Sequence, residues 1–258
     1  MLFRTPRLLF ALISACWLIG CERVPPDTDA QPVRVFAAAS LIDAMGEIAE
    51  LWEEQGNVAP VFNFAATSQL AMQVRQGADV DVFVSADEAW MDEVEAAGFV
   101  VGETRHVIAG NSLVVVATRE SEPVDPEREV TEALLQLEEG GRLVLAELSV
   151  PAGRYAKEAL EATGLWPSIE AHVVYASDVR AALRLVEIGE AAAGVVYKTD
   201  ALAAGGRVSI LAEFPSGGHT AIVYPAAAIV GGDGEAFVEF LRSDAAQSRF
   251  IALGFRGD

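Results

Sequence analysis

The chain has 258 residues, 52% of them hydrophobic and 22% charged, a balance that is typical of a globular protein and excludes a disordered one. Its 38 acidic residues outnumber 18 lysines and arginines and give a net charge of −20. Such an acidic surface argues against nucleic acid and anionic membrane surfaces as partners. Any anion that binds must therefore be held by local donors and not by the overall electrostatic field.

The first 21 residues have the composition of an export signal. Two arginines precede an apolar run at residues 8–19, which is too short for a membrane span and is typical of a signal peptide. The run ends at Leu18-Ile19-Gly20-Cys21, which resembles a bacterial lipobox. This resemblance implies that residues 1–20 are removed, that Cys21 is lipidated, and that residues 21–32 form a polar tether. The alternative is an ordinary signal peptide with a chance cysteine.

From residue 33 onwards, short β-rich runs alternate with helical patterns. We predict strands at 33–38, 58–64 and 81–85, and helices near 41–55, 68–76 and 88–97. Alternation of this kind predicts a parallel sheet covered by helices. In such sheets ligands bind beyond the carboxyl ends of the strands, where the turns lie.

A second α/β set follows an apolar strand at 112–118 and a polar stretch at 119–128. Its predicted strands lie at 142–146, 172–175, 194–197, 208–211 and 221–230, and its predicted helices at 152–163, 178–188, 235–241 and 245–253. Crossings near 109–112 and 219–222 predict two lobes. One lobe consists of residues 33–109 with 222–258, and the other of residues 110–221.

Signatures of catalysis and of metal binding are weak. The three histidines, at positions 106, 172 and 219, have no neighbours at metal-ligand spacing. No nucleophile elbow and no phosphate-binding P-loop is present. Asp87, which could be imagined in an acid pair with Glu88, is better interpreted as a helix cap.

Small and hydroxyl residues recur at the turns where predicted helices begin. The first such turn is Ala37-Ala38-Ala39-Ser40-Leu41, and others lie at 65–68, 150–153 and 176–179. Each turn alone predicts only a cap, and Ser40 with Asp43 also fits a capping box. Together, two in each lobe, the turns predict a cleft lined by N–H groups and hydroxyls, to which Tyr197 adds a phenol. Such donors can bind a fully ionised oxyanion and disfavour a protonated one.

Several motifs in this chain resemble the periplasmic molybdate-binding proteins of ABC importers. They are Val35-Phe36-Ala37-Ala38-Ala39-Ser40-Leu41, Phe64-Ala65-Ala66-Thr67-Ser68, Asp81-Val82-Phe83-Val84-Ser85-Ala86-Asp87, Gly110-Asn111-Ser112, Val150-Pro151-Ala152-Gly153-Arg154-Tyr155, Asp178-Val179-Arg180 and Gly194-Val195-Val196-Tyr197. The similarity covers nearly all of residues 33–258. It implies a two-lobed α/β fold of the type II periplasmic-binding-protein class, with a mixed, mostly parallel sheet in each lobe and two hinge crossovers.

The resemblance also implies a set of ligand-binding residues. Molybdate would be held by the hydroxyls of Ser40 and Thr67, the backbone amides of Ala152 and Val179, and the hydroxyl of Tyr197, with no direct metal ligand and no cofactor. Thr67 departs from the family pattern, in which serine is usual. The neighbouring hydroxyl of Ser68 is the alternative donor at that place.

The expected function is capture of molybdate, and also of tungstate, by an extracytoplasmic receptor that passes the anion to an ABC permease. We expect a monomer without enzymatic activity that touches the membrane only through lipidated Cys21 and does not bind nucleic acid. One alternative is a receptor for another tetrahedral oxyanion such as sulfate or phosphate. Remote alternatives are an exported serine hydrolase that uses Ser40 or Ser85, and a structural lipoprotein.

Overall fold

Ten strands and ten α-helices form in the part of the chain that the computed structural model describes, residues 31–118, 130–135 and 141–257. The strands are β1 Arg34–Ala38, β2 Val61–Ala65, β3 Val82–Val84, β4 His106–Gly110, β5 Leu113–Thr118, β6 Leu143–Ala146, β7 Val173–Ala176, β8 Ala193–Tyr197, β9 Val208–Glu213 and β10 Val223–Ala228. The helices are α1 Ile42–Glu54, α2 Thr67–Arg75, α3 Glu88–Ala96, α4 Val130–Leu135, α5 Pro151–Ala162, α6 Trp166–Ile169, α7 Val179–Glu187, α8 Lys198–Ala203, α9 Glu235–Leu241 and α10 Asp244–Ala252.

The strands form two five-stranded mixed sheets. In the first, with the order β2-β1-β3-β10-β4, β1 runs parallel to β2 and β3, and β10 runs antiparallel to β3 and β4. In the second, with the order β7-β6-β8-β5-β9, β6 runs parallel to β7 and β8, and β5 runs antiparallel to β8 and β9. The predicted α/β class with two mixed sheets is confirmed.

The chain passes between the two sheets twice. The first passage is Asn111-Ser112, between β4 and β5, and the second consists of residues 214–222, between β9 and β10. The two passages lie side by side, because the Asn111 amide donates a hydrogen bond of 3.1 Å to the Ile222 carbonyl oxygen. The exact lobe boundaries predicted from the sequence stay a prediction.

The last two helices pack beside the first sheet. Trp52 of α1 lies edge-on to Phe237 and Phe240 of α9, with ring centroids 5.3 and 5.1 Å apart. Arg249 of α10 forms an ion pair of 2.9 Å with Glu47 of α1. These contacts fix α1, and with it the turn that precedes α1, against the sheet.

Four elements were not predicted from the sequence: β4, α4, α6 and α8. Helix α8 begins directly where β8 ends, with Tyr197 at its N-cap and no side-chain cap bond, so no turn residue marks the change. Strand β4 is short and ends at Gly110, and its pairing with β10 is what makes it a strand. Tertiary context decides such segments more than local propensity does.

The predicted signal peptide, lipidated Cys21, nearly all of the tether, and the polar stretch after Thr118 lie outside the described residues. Among the residues that are described, no helix is both long enough and apolar enough to cross a membrane.

Candidate functional site

A small cavity lies between the two sheets, where several helices begin. It is lined by Ala38, Ala39, Ser40, Ala65, Ala66, Thr67, Ala86, Val150, Pro151, Ala152, Asp178, Val179 and Tyr197. The structure thus brings together all five residues that the resemblance implied. Ser68, the alternative donor, is buried but is not part of this lining.

Ser40 lies within a 3₁₀ turn, Ala39–Leu41, that is inserted between β1 and α1. The N-cap of this turn is Ala38 and that of α1 is Leu41, and neither helix start has a side-chain cap bond. The capping-box interpretation of Ser40 is therefore wrong, because the turn places Ser40 inside the helical segment and not before it. Its hydroxyl oxygen instead lies 3.1 Å from the hydroxyl oxygen of Tyr224.

Thr67 is the first residue of α2, and its side chain is buried. The backbone amide of Ala86 donates a hydrogen bond of 3.1 Å to Thr67 Oγ1. Since that oxygen already accepts a hydrogen, its own hydrogen is left to be donated. Thr67, with its place in the cavity lining, is therefore set up as a donor.

Ala152 brings a free helix N-terminus to the cavity. It is the second residue of α5, which begins at Pro151 and has no side-chain cap. Amides in the first turn of a helix have no intrahelical acceptor. A Cβ at the next residue, Gly153, would overlap the carbonyl oxygens of Ala146 and Glu147, so glycine is what allows the helix start to approach the end of β6.

Val179 is the first residue of α7, and its amide is not one of those that bond to the N-cap side chain of that helix. Asp178 is the N-cap, and its Oδ1 accepts hydrogen bonds of 2.9 Å from the amides of Arg180 and Ala181. The Val179 amide precedes these two, and Val179 is one of the residues that line the cavity. It is therefore the amide that this turn offers to a ligand.

Tyr197 ends β8 and is 1% exposed. Among the described residues its hydroxyl has no hydrogen-bond partner. Burial raises the pKa of Tyr197 well above its usual value, so the group stays a neutral O–H donor. A buried unsatisfied donor costs about 1–3 kcal/mol, a cost that a hydrogen-bond acceptor in the cavity would remove.

Two arginines next to the cavity are neutralised by aspartates. Arg154 of α5 lies 2.5 Å from the buried carboxylate of Asp87. Arg180 of α7 lies 2.5 Å from a carboxylate oxygen of Asp43. Its Nε is also 2.5 Å from buried Asp200, an ion pair without hydrogen-bond geometry. Both arginines are thus paired, and the donors that face the cavity are neutral.

Asp87 caps α3, as predicted. Its Oδ1 accepts a hydrogen bond of 2.9 Å from the Trp90 amide. No sequence pattern indicated its second contact, with Arg154, which lies 67 positions away. Burial raises the pKa of Asp200, another buried aspartate, to about 7, and Arg180 opposes that shift.

No group of three or more histidine, cysteine, aspartate or glutamate side chains that could hold a metal ion occurs in the described part of the chain. Ser85, considered as a hydrolase nucleophile, donates its hydroxyl to the Asp87 carbonyl oxygen at 2.6 Å. Among the described residues that line the cavity, none is a histidine that could act as a base for Ser40.

Comparison with known protein families matches residues 33–256 to the bacterial extracellular solute-binding proteins. The chain belongs to this family. A member from Escherichia coli K12, the molybdate-binding protein ModA, is 40% identical over 231 residues, which cover 88% of this chain and 90% of that protein. The ModA protein of Haemophilus influenzae is 38% identical and covers 86% of this chain and 89% of its own length.

Among solved structures, the periplasmic molybdate-binding protein of Azotobacter vinelandii superposes on this family member with a TM-score of 0.77. The match covers 86% of this chain and 98% of that protein, at 22% identity. At this identity the similarity supports a shared fold and no more. The periplasmic-binding-protein fold that the motifs predicted is confirmed, and so is the family resemblance. The hydrolase alternative has no support in these comparisons.

Proposed function

We propose that this chain is an extracytoplasmic receptor that binds molybdate, and also tungstate, in the cavity between its two sheets. The observation that carries the proposal is the Tyr197 hydroxyl, a buried donor that lies in the cavity lining without a partner. It requires an acceptor, and a fully ionised oxyanion offers only acceptors. The high identity to relatives named as molybdate-binding proteins supports this choice of anion.

Five donors act together in this proposal. They are the hydroxyls of Ser40, Thr67 and Tyr197 and the amides of Ala152 and Val179, all of which belong to cavity-lining residues. Each hydrogen bond to a charged group contributes about 1.5–3 kcal/mol. A tetrahedral dianion with four oxygen atoms can accept from all of them, whereas a protonated anion places an O–H against a donor.

The two passages of the chain between the sheets form the hinge in this proposal. Ser40 and Thr67 follow strands of the first sheet, whereas Ala152, Val179 and Tyr197 belong to elements of the second. Closure about the hinge would bring the two sets of donors onto one anion. We place the lobe boundaries at residues 109–110 and 221–222.

The rest of the transport assignment belongs to the same proposal. The receptor is a monomer on the periplasmic or extracytoplasmic side, anchored to a membrane through lipidated Cys21 and a tether that ends near residue 32. It delivers the anion to the permease of an ABC transporter and performs no covalent chemistry. Its contact with the membrane is through the lipid alone.

The test of the ligand is calorimetry of residues 22–258 with molybdate, tungstate, sulfate and phosphate. We expect molybdate and tungstate to bind tightly, and sulfate, which is smaller, and phosphate, which is partly protonated, to bind weakly. Absence of molybdate binding would reject the proposal. An equal affinity for sulfate would replace it with the alternative of a general oxyanion receptor.

The variant Ser40→Ala is expected to weaken molybdate binding about tenfold or more, a loss of roughly 1.4 kcal/mol. The fold should survive, because Ser40 caps no helix. The measurement is calorimetry together with a melting curve. Ser68→Ala is the matched control, since it removes a buried hydroxyl outside the cavity lining. A large drop in melting temperature with unchanged affinity would show that Ser40 is structural.

A further inference from the structure

The hydroxyl of Ser40 is held by a chain of buried polar groups that leads to the passages between the sheets. Tyr224, the second residue of β10, is 0% exposed, and its hydroxyl oxygen lies 3.1 Å from Ser40 Oγ. Asn111, which is 2% exposed, donates from Nδ2 to the same Tyr224 oxygen at 3.0 Å. Neither Tyr224 nor Asn111 lines the cavity.

The orientation of the Asn111 side chain is fixed by its other contacts. The Ser112 amide donates to Asn111 Oδ1 at 2.9 Å, which identifies the oxygen of the carboxamide. Its nitrogen therefore faces Tyr224 and also Thr199, whose Oγ1 accepts from it at 2.9 Å. A flipped side chain would set its N–H₂ group against the Ser112 N–H, a contact between two donors.

The direction of the next hydrogen bond follows from this orientation. Tyr224 Oη accepts from Asn111, and burial raises the pKa of Tyr224, so the phenol keeps its single hydrogen. Its polar contacts among the described residues are Asn111 and Ser40. Were Ser40 to donate to Tyr224, the phenol hydrogen would be buried without an acceptor, at a cost of about 1–3 kcal/mol. The favoured arrangement has Tyr224 donating to Ser40.

We propose that Asn111 and Tyr224 are positioning residues that favour an acceptor-only ligand, because they occupy one lone pair of Ser40 and leave its hydrogen free for the cavity. In this relay Asn111 donates to Tyr224, Tyr224 donates to Ser40, and the Ser40 hydrogen points into the cavity. The Ala86 amide likewise donates to Thr67 Oγ1 and leaves the Thr67 hydroxyl hydrogen free for the cavity. Each of the two cavity hydroxyls therefore has a hydrogen free for the anion and one lone pair already in use, which favours an anion that only accepts over one that carries its own O–H. The inference rests on the proposed anion-binding function.

The relay also connects specificity with the hinge. Asn111 is itself part of the first passage between the sheets and is hydrogen-bonded to Ile222 in the second. Tyr224 follows that second passage by two positions. The donor state of Ser40 thus depends on the geometry of the segments about which the two sheets are joined.

Two single variants and their combination test the relay in the same chain of residues 22–258, with sodium molybdate and sodium phosphate as probes at pH 7. Tyr224→Phe removes the donor to Ser40, which frees a lone pair to accept from protonated phosphate. We expect molybdate affinity to fall about three- to tenfold and the molybdate-to-phosphate affinity ratio to fall by more. Asn111→Asp turns a donor into an acceptor and reverses the relay, so that Ser40 donates to Tyr224 and presents lone pairs to the anion. We expect the molybdate affinity of this variant to fall at least tenfold.

The double variant separates the relay from the added charge. With Tyr224→Phe in place the relay is already interrupted, so Asn111→Asp should cost much less than it does alone. An effect of charge or of packing would instead persist at the same fold-change in both backgrounds, and that outcome overturns the proposal. The matched control is Tyr155→Phe. It removes a similarly buried phenol hydroxyl that belongs neither to the cavity lining nor to the relay, and it should leave the molybdate-to-phosphate ratio unchanged.

The outcomes distinguish the relay from the function on which it rests. If the wild-type chain binds molybdate and Tyr224→Phe binds it with equal affinity and ratio, only the relay is rejected. If the wild-type chain prefers sulfate or phosphate to molybdate, the choice of molybdate is rejected, and the relay is rejected with it unless Tyr224→Phe changes the affinity for the preferred anion. If the wild-type chain binds none of them, both proposals are rejected.

Discussion

Replacing Val179 with proline is expected to lower the affinity for molybdate by about 10- to 100-fold and to leave the fold intact. Proline has no backbone N–H, so the change deletes one of the five proposed donors and retains an apolar side chain. One hydrogen bond to a charged group is worth about 1.5–3 kcal/mol, which corresponds to this range of affinities. Calorimetry with molybdate measures the loss.

The local backbone accommodates proline at this position. Val179 is the first residue of α7, the place in a helix where proline is most favoured. The preceding residue, Asp178, has φ −158° and ψ 177°, the extended conformation that a following proline requires. The amides of Arg180 and Ala181, which Asp178 caps, are untouched.

Val179→Ala is the matched control for this substitution, because it loses buried side-chain volume and keeps the amide. It should bind molybdate almost as the wild-type chain does, and its melting temperature should fall as much as that of the proline variant. If the alanine and proline variants bind equally well, the Val179 amide is not a ligand donor.

Tyr197→Phe is expected to weaken molybdate binding by about 10- to 100-fold without lowering the stability of the ligand-free protein. The loss of one hydrogen bond to the anion accounts for the weaker binding. The stability of the ligand-free protein should not fall, because its Tyr197 hydroxyl is buried without a partner among the described residues. Removing a donor of that kind removes a desolvation cost of about 1–3 kcal/mol.

The opposite signs of the two effects identify Tyr197 as a ligand donor. Denaturant unfolding of the ligand-free variant should give a free energy of unfolding equal to or above that of the wild-type chain. Tyr155→Phe provides the contrast, since it removes the hydroxyl of a buried ring over which Arg154 lies at 5.4 Å and should not raise the stability. A Tyr197→Phe variant that is destabilised and binds molybdate normally would contradict the assignment.

Sequence patterns predicted most of the regular structure because hydrophobic period and turn residues act locally. Helix α1, predicted at 41–55, is found at Ile42–Glu54, and α9 has the predicted bounds. The cavity residues could be predicted from the turns in which they lie and from the family resemblance. The capping role of Ser40 was wrong because a 3₁₀ turn and a contact with Tyr224, 184 positions away, replace it.

The polar partners behind the cavity could not be predicted from the sequence. Asn111 and Tyr224 are 113 positions apart, and Arg154 and Asp87 are 67 apart. Helical and strand periods carry no information about which distant side chains meet. Asn111 belonged to a family motif, but only the pairing of β10 with β3 and β4 explains how Tyr224 comes to lie beside it.

The neutralisation of Arg154 and Arg180 by aspartates bears on how a receptor of this kind is unloaded. A cavity lined by fixed positive charges would hold a dianion by long-range attraction, and pulling the two apart would require work over many ångströms. Hydrogen bonds from neutral N–H and O–H groups lose their strength within a small displacement. A slight separation of the two sheets would therefore remove most of the binding free energy of the anion. The empty cavity would have no net positive charge to attract the anion back.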